Sequence, residues 1–306
     1  MPHIHDTSFL EHDHHYVSGH ELHSERRTMY VVSLTAAMML LEIVCGYVFN
    51  SMALLADGWH MSTHAGALGI AAFAYVYARR QARNPRFTFG TGKVGALGGF
   101  TSAIILAMIA LLVISQSLSR LHHAVPIVYD EAIVIAVVGL GVNLLSAWLL
   151  RENHHHHDHE HDRHHDHNLR AAYIHVLADA VTSILAIGAL IAGKYLGWIW
   201  MDPVMGIVGS FIIAHWSIGL MRRTGAELLD QAPEVGLEQA IRGAIERDAD
   251  NKVTDLHLWH IAPGKLSAIV SLVTDRPQPP KHYKALLREF HHLVHVTVEV
   301  NTCEAA

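Results

Sequence analysis

The sequence predicts a membrane protein, an all-α bundle of six transmembrane helices plus a small cytoplasmic α+β domain. The 306 residues are 51% hydrophobic and only 16% charged, whereas soluble domains carry about 25% charged residues. The apolar residues gather in stretches of about 20, which is long enough for a helix to cross the hydrocarbon core of a bilayer. Beyond residue 223, short alternating segments replace these long apolar stretches.

The chain divides into three regions. Residues 1–28 form a polar, histidine-rich tail, residues 29–223 the transmembrane domain, and residues 224–306 the cytoplasmic domain. The predicted spans lie at about residues 29–49, 54–78, 94–119, 131–150, 170–192 and 200–221. The step Asp202-Pro203 marks the entry to the sixth span, because proline is tolerated in the first turn of a helix.

Basic residues set the predicted orientation. They concentrate before the first span, in the links that follow the second and fourth spans, and after the sixth span, at Arg26, Arg27, Arg79, Arg80, Arg83, Arg86, Lys93, Arg151, Arg163, Arg170, Arg222 and Arg223. Cytoplasmic loops carry such an excess of Lys and Arg, so we expect both termini in the cytoplasm. The polar first 28 residues indicate no cleavable signal peptide, and we expect an integral protein of a bacterial inner membrane.

The cytoplasmic domain combines helices and strands. A polar helix at about residues 236–248 precedes two strands, at 253–259 and 266–274. A second helix at about 280–293 and a last strand at 295–301 complete the order helix–strand–strand–helix–strand. This order predicts a small α+β domain with a sheet covered on one face.

Composition also excludes some functions. A formal net charge of −6 gives no indication of nucleic-acid binding. The two cysteines, Cys45 and Cys303, provide neither a disulfide framework nor a thiolate metal motif. The chemistry must therefore be sought in histidine and carboxylate side chains.

Two pairs of potential metal ligands lie inside predicted spans. His60 and His64 are four residues apart in the second span, as are His175 and Asp179 in the fifth, and this spacing places each pair on one helix face. Such groups are costly in lipid unless they have partners. A hydrogen bond between helices would explain one histidine, whereas a cation shared by two helices satisfies all four groups. Three imidazoles and one carboxylate favour zinc, cobalt or nickel.

Three further polar residues lie close to these pairs in the sequence or inside other spans. Asp57 shares a face with His60 and either orients a histidine or caps the start of its helix. Glu42 in the first span and Asn143 in the fourth either line the ion path or join helices by hydrogen bonds.

A histidine-rich loop separates the fourth and fifth spans. Residues 153–168 read NHHHHDHEHDRHHDHN, too polar to form a core and expected to be disordered without metal. We interpret the loop as a metal collector or sensor, with a charged spacer as the alternative, and its nine candidate ligands are His154, His155, His156, His157, His159, His161, His164, His165 and His167.

Several motifs together resemble those of the cation diffusion facilitator family. They are SMALLADGWHMSTH at the second span, RFTFGTGK before the third, HVLAD in the fifth, the Asp202-Pro203 step and DLHLW in the cytoplasmic domain. The resemblance implies six transmembrane helices, a cytoplasmic ferredoxin-like domain, and a homodimer that exports divalent metal from the cytoplasm in exchange for protons. It implies no enzyme activity and no prosthetic group, only the transported metal.

The resemblance also assigns the transport site to His60, His64, His175 and Asp179. Many zinc-type relatives have an aspartate at the position of His64, so this chain is similar to the cobalt- and nickel-exporting branch, with zinc still possible.

Two rival functions remain open from the sequence. An intramembrane metalloprotease also pairs histidines four residues apart, but its motif needs a glutamate base where this chain has Met61. A membrane metal sensor or store would use the polar histidine-rich segments as its binding site.

Overall fold

Six long helices form most of the molecule. The structure is a computed structural model that describes residues 25–81, 84–151, 165–233 and 235–303. The helices are α1 (Glu25–Val48), α2 (Met52–Gln81), α3 (Val94–His122), α4 (Tyr129–Arg151), α5 (His165–Leu196) and α6 (Met201–Leu228). Each overlaps one of the six predicted apolar stretches, and α5 and α6 extend further than the sequence predicts.

The helices have the character of a membrane bundle. Within the described residues, Val94–His122, Tyr129–Ser146 and Met201–Leu228 are long and apolar enough to cross a membrane, and Ser33–Val48 and Ala180–Leu196 are shorter apolar helical segments. Large apolar side chains lie exposed on these helices, as expected where lipid replaces water. The helical transmembrane bundle is confirmed, while the number of six spans stays a prediction.

The described residues form two compact units. One contains residues 25–70, 101–151 and 165–221, and the other contains residues 71–81, 84–100, 222–233 and 235–303. In the second unit, the link between α2 and α3 contacts the part of the chain that follows α6. Phe89 meets Trp259 and His295 edge-on, with ring centroids 5.9 and 5.6 Å apart. Lys93 forms an ion pair with Asp230.

A small sheet domain ends the chain. Its elements are α7 (Val235–Glu246), β1 (Lys252–Ala262), β2 (Lys265–Thr274), α8 (Pro280–Leu286) and β3 (Leu293–Thr302). β2 lies at the centre, antiparallel to β1 and parallel to β3. Ile241, Ile245 and Tyr283 pack from the helices onto one face of the sheet. The predicted order of elements is confirmed.

The domain departs from the sequence prediction at α8. The predicted helix over 280–293 ends at Leu286, and short turns carry the chain to Leu293. Leu293 must already be extended because it pairs with Leu266 in the parallel register of β2 and β3. A ferredoxin-like fold has four strands, and the described residues contain three. The α+β class is therefore what the structure confirms.

Candidate metal-transport site

The site begins with the way α2 starts. The first N–H groups of a helix have no partner within it. The Leu54 amide donates to Ser51 Oγ at 3.1 Å, while the amides of Met52 and Ala53 donate to the Asp202 carboxylate at 2.8 and 3.1 Å. Ser51 Oγ also donates to Asp202, at 2.6 Å. The first turn of α6 thus caps the helix that carries His60.

Close packing against α6 and α1 then fixes the position of α2 in the bundle. A Cβ added at Gly209 of α6 would lie 2.9 Å from the Cβ of Ala56, and one at Gly206 would lie 2.8 Å from that of Met52. On the opposite side, a Cβ at Gly58 would lie 2.9 Å from Ile43 of α1. Real Cβ atoms do not come so close, so these positions require glycine for the helices to meet.

A small cavity of about 30 Å³ lies between α2, α5 and α6. This volume suits one water-sized molecule or ion. Asp57 and His60 contribute its polar wall from α2, and Thr182 does so from α5. Met205, Val208 and other apolar side chains form the rest of the lining.

His60 and Asp57 are both buried, each 5% exposed. Asp57 accepts a hydrogen bond from Ser183 Oγ of α5 at 2.8 Å. It lies in the second turn of α2, whose start is capped by Ser51 and Asp202. The capping alternative for Asp57 is therefore wrong, and its carboxylate links α2 to α5 beside the cavity.

The other three predicted ligands have no described side chains. His64 lies on α2 one turn beyond His60, and His175 and Asp179 lie on α5. Asp179 precedes the cavity-lining Thr182 by three residues, so helix periodicity puts both on one face. The convergence of four ligands stays a prediction. Among the residues whose side chains are described, no group of three or more metal-ligating side chains occurs.

Glu42 and Asn143 lie inside the bundle, 0% and 8% exposed. Neither carboxylate oxygen of Glu42 has a hydrogen-bond partner in the part of the chain that the structure describes. A Cβ added at Gly58, the residue after Asp57, would lie 3.0 Å from the Glu42 Cβ, so α1 and α2 pack closely at this point.

The predicted metal-collecting loop lies largely outside the described residues. These exclude residues 1–24 of the N-terminal tail and the loop from residue 152 to 164, which contains seven of the nine histidines. His165 and His167 belong to the first turn of α5, which begins earlier than predicted. Their side chains are not described.

Sequence reasoning missed Ser51 and Ser183 and the contact that Asp202 makes with α2. Ser51 stands just before an apolar helix, which is an N-cap signal that could have been recognised. The partnership of Asp202 with α2 spans 151 residues, and Ser183 also meets Asp57 from a distant helix. No local sequence pattern encodes such contacts.

Comparison with known proteins gives consistent matches over nearly the whole chain. The family model of the cation efflux transmembrane domain matches residues 28–229. The zinc transporter ZitB of Escherichia coli (strain K12) is 33% identical over 302 residues, which cover 96% of this chain and 92% of that protein. The cadmium, cobalt and zinc/H(+)-K(+) antiporter of Bacillus subtilis (strain 168) is 27% identical, over 93% and 92%. The metal cation efflux system protein CzcD of Cupriavidus metallidurans is 28% identical, over 92% and 89%.

Proposed function

Because the chain belongs to the cation efflux family, we propose that it exports a divalent transition-metal ion from the cytoplasm in exchange for protons. The observation that carries this proposal is a buried histidine, His60, in the wall of a cavity between three helices of the bundle. An imidazole buried in a membrane bundle beside space for one ion is the arrangement that a transport site requires.

We assign the four ligands to His60, His64, His175 and Asp179. Three nitrogen donors and one oxygen donor suit a tetrahedral ion of the zinc, cobalt and nickel group. We assign to Asp57, which accepts a hydrogen bond from Ser183, the role of orienting the ligands of α2 without being one of them, as carboxylates beside metal-bound histidines commonly do. The names of the relatives above include zinc and cobalt.

Exchange with protons follows from the chemistry of the ligands. Metal binding requires neutral imidazole and ionised carboxylate, and imidazole gains and loses protons near physiological pH. Protons that enter from outside compete with the metal and expel it, and a rocking motion of helices then reopens the site to the cytoplasm. We propose that the chain acts as a homodimer in the inner membrane with both termini in the cytoplasm.

The test is metal flux into proteoliposomes, with zinc, cobalt and nickel compared in the presence and absence of a pH gradient. We expect His60→Ala and Asp179→Ala to reduce flux to the level of empty liposomes, because each removes a ligand. His215→Ala is the matched control, since this histidine is exposed on α6, and it should transport normally. Undiminished flux in His60→Ala would refute the site.

Deletion of the histidine-rich loop separates export from sensing or storage. An exporter lacking residues 153–168 keeps its maximal flux and changes only its apparent affinity or selectivity. A sensor or store loses its function entirely. The hydrolytic alternative has no support in this chain, because Met61 occupies the position of the required base and the relatives are transporters.

A further inference from the structure

The buried carboxyl group of Glu42 has no role in the site described above. It lies midway along α1, is 0% exposed, and neither oxygen meets a donor within the described residues. An ionised carboxylate in that setting loses its hydration without compensation. Buried carboxyl groups of this kind inside a membrane bundle are the ones that proton relays use.

The packing around Glu42 leaves its carboxyl group little freedom. A Cβ at Gly139 of α4 would clash with Oε1, and one at Gly58 of α2 would lie 3.0 Å from the Glu42 Cβ. The side chain is therefore wedged between two helices. Asn143, one turn further along α4, is buried as well.

The titratable neighbours of Glu42 connect it to the cavity. On α2, Asp57 directly precedes Gly58, where an added Cβ would lie 3.0 Å from the Glu42 Cβ, and on the same helix as Glu42, Cys45 lies one turn away. From Ala132 to Ser146, α4 contains no titratable side chain. Asp57 itself lines the cavity with His60, so the residue beside Gly58 belongs to the cavity wall.

We propose that Glu42 is a proton-binding site coupled to the metal site, which releases its proton when a cation occupies the cavity and recovers one when the cation leaves. The O–H bond of the acid breaks, the electron pair stays on the carboxylate, and the proton passes by way of Asp57 to water. The positive charge of the cation stabilises the resulting carboxylate. This inference rests on the metal/proton exchange proposed above, and it adds a proton carrier that does not ligate the metal.

The first experiment uses the full-length wild-type protein and zinc ions. Infrared difference spectra recorded on addition of zinc should contain a negative band from the C=O stretch of a protonated carboxylic acid, and Glu42→Gln should lack that band. Proteoliposomes then report zinc flux and proton counterflow together. We expect Glu42→Gln to bind zinc within about twofold of wild type, to move fewer protons per zinc ion, and to lose acceleration by a pH gradient.

Glu131→Gln is the control, because this carboxylate is exposed at the start of α4. It should keep the infrared band and the wild-type coupling. An unchanged proton-to-zinc ratio in Glu42→Gln, or a wild-type spectrum without the band, would overturn the inference. If Glu42→Gln does not fold, Glu42→Asp replaces it, and a band that stays unshifted in Glu42→Asp would overturn the inference. Wild-type protein that moves zinc without any proton counterflow would instead refute the proposed function.

Discussion

Removal of the Asp202 carboxylate tests whether α6 holds the start of α2. In Asp202→Ala, the amides of Met52 and Ala53 lose their acceptors in a region where Asp202 is only 1% exposed. The hydroxyl of Ser51 can rotate toward another acceptor, but backbone amides cannot. The two amides therefore determine the size of the effect.

A buried donor without a partner costs about 1–3 kcal/mol, so two of them destabilise the bundle by about 2–6 kcal/mol. Ser51→Ala removes a single helix cap and costs about 1 kcal/mol. The double variant should fall short of the sum, because the Ser51 hydroxyl and Asp202 contact each other. Asp202→Asn keeps one carbonyl acceptor and should lie between wild type and Asp202→Ala.

Thermal unfolding of the purified protein, followed by tryptophan fluorescence in detergent, measures these differences. We expect Asp202→Ala to unfold at least about 4 °C below wild type and to bind metal more weakly, because the helix that carries His60 frays at its start. Asp130→Ala is the control, since this carboxylate is exposed, and it should unfold near the wild-type temperature. If Asp202→Ala unfolds at the same temperature as Asp130→Ala, the Asp202 carboxylate does not stabilise the start of α2.

Two further predictions concern the cavity and the sheet domain. Gly209→Ala places a methyl group 2.9 Å from the Cβ of Ala56 in the cavity wall, so it should lower metal affinity and flux. Gly188→Ala, which has open space around it, is the control and should leave both unchanged. Equal flux in the two variants would contradict the close packing. Hydrogen bonds from the Asp275 amide and the Thr274 hydroxyl lower the pKa of Asp250. These bonds to the ionised carboxylate stabilise the folded domain above the ordinary pKa of aspartate, and their contribution is lost as the pH falls through the lowered pKa. Asp250→Asn should therefore reduce the acid sensitivity of hydrogen exchange in β1 and β2, and an unchanged sensitivity would contradict this assignment.

Much of the helical bundle could be predicted from the sequence because lipid imposes a strong local rule. A stretch of about 20 apolar residues satisfies its own backbone only as a helix, and each of the six predicted stretches is helical. Ligand pairs spaced by four residues were equally local, and His60 does face the cavity.

The parts that sequence reasoning missed depend on contacts between distant segments. The residues after Leu286 continue a helical pattern, yet pairing with β2 requires Leu293 to begin a strand. Asp202 appeared to be only a helix entrance, and its bonds to Met52 and Ala53 come from tertiary packing. The sequence alone could not decide whether Asp57 caps α2, because the answer depends on the residue at which α2 begins.

The cap on α2 also bears on the biogenesis of the protein. Ser51 and Asp202 are separated by 151 positions along the chain, and synthesis at about 5–20 residues per second takes about 8–30 s to cover that distance. During this interval, the Met52 and Ala53 amides at the start of α2 lack the acceptor that Asp202 later provides. A nascent chain that stops before its sixth helix therefore lacks the Asp202 carboxylate that accepts from the Met52 and Ala53 amides.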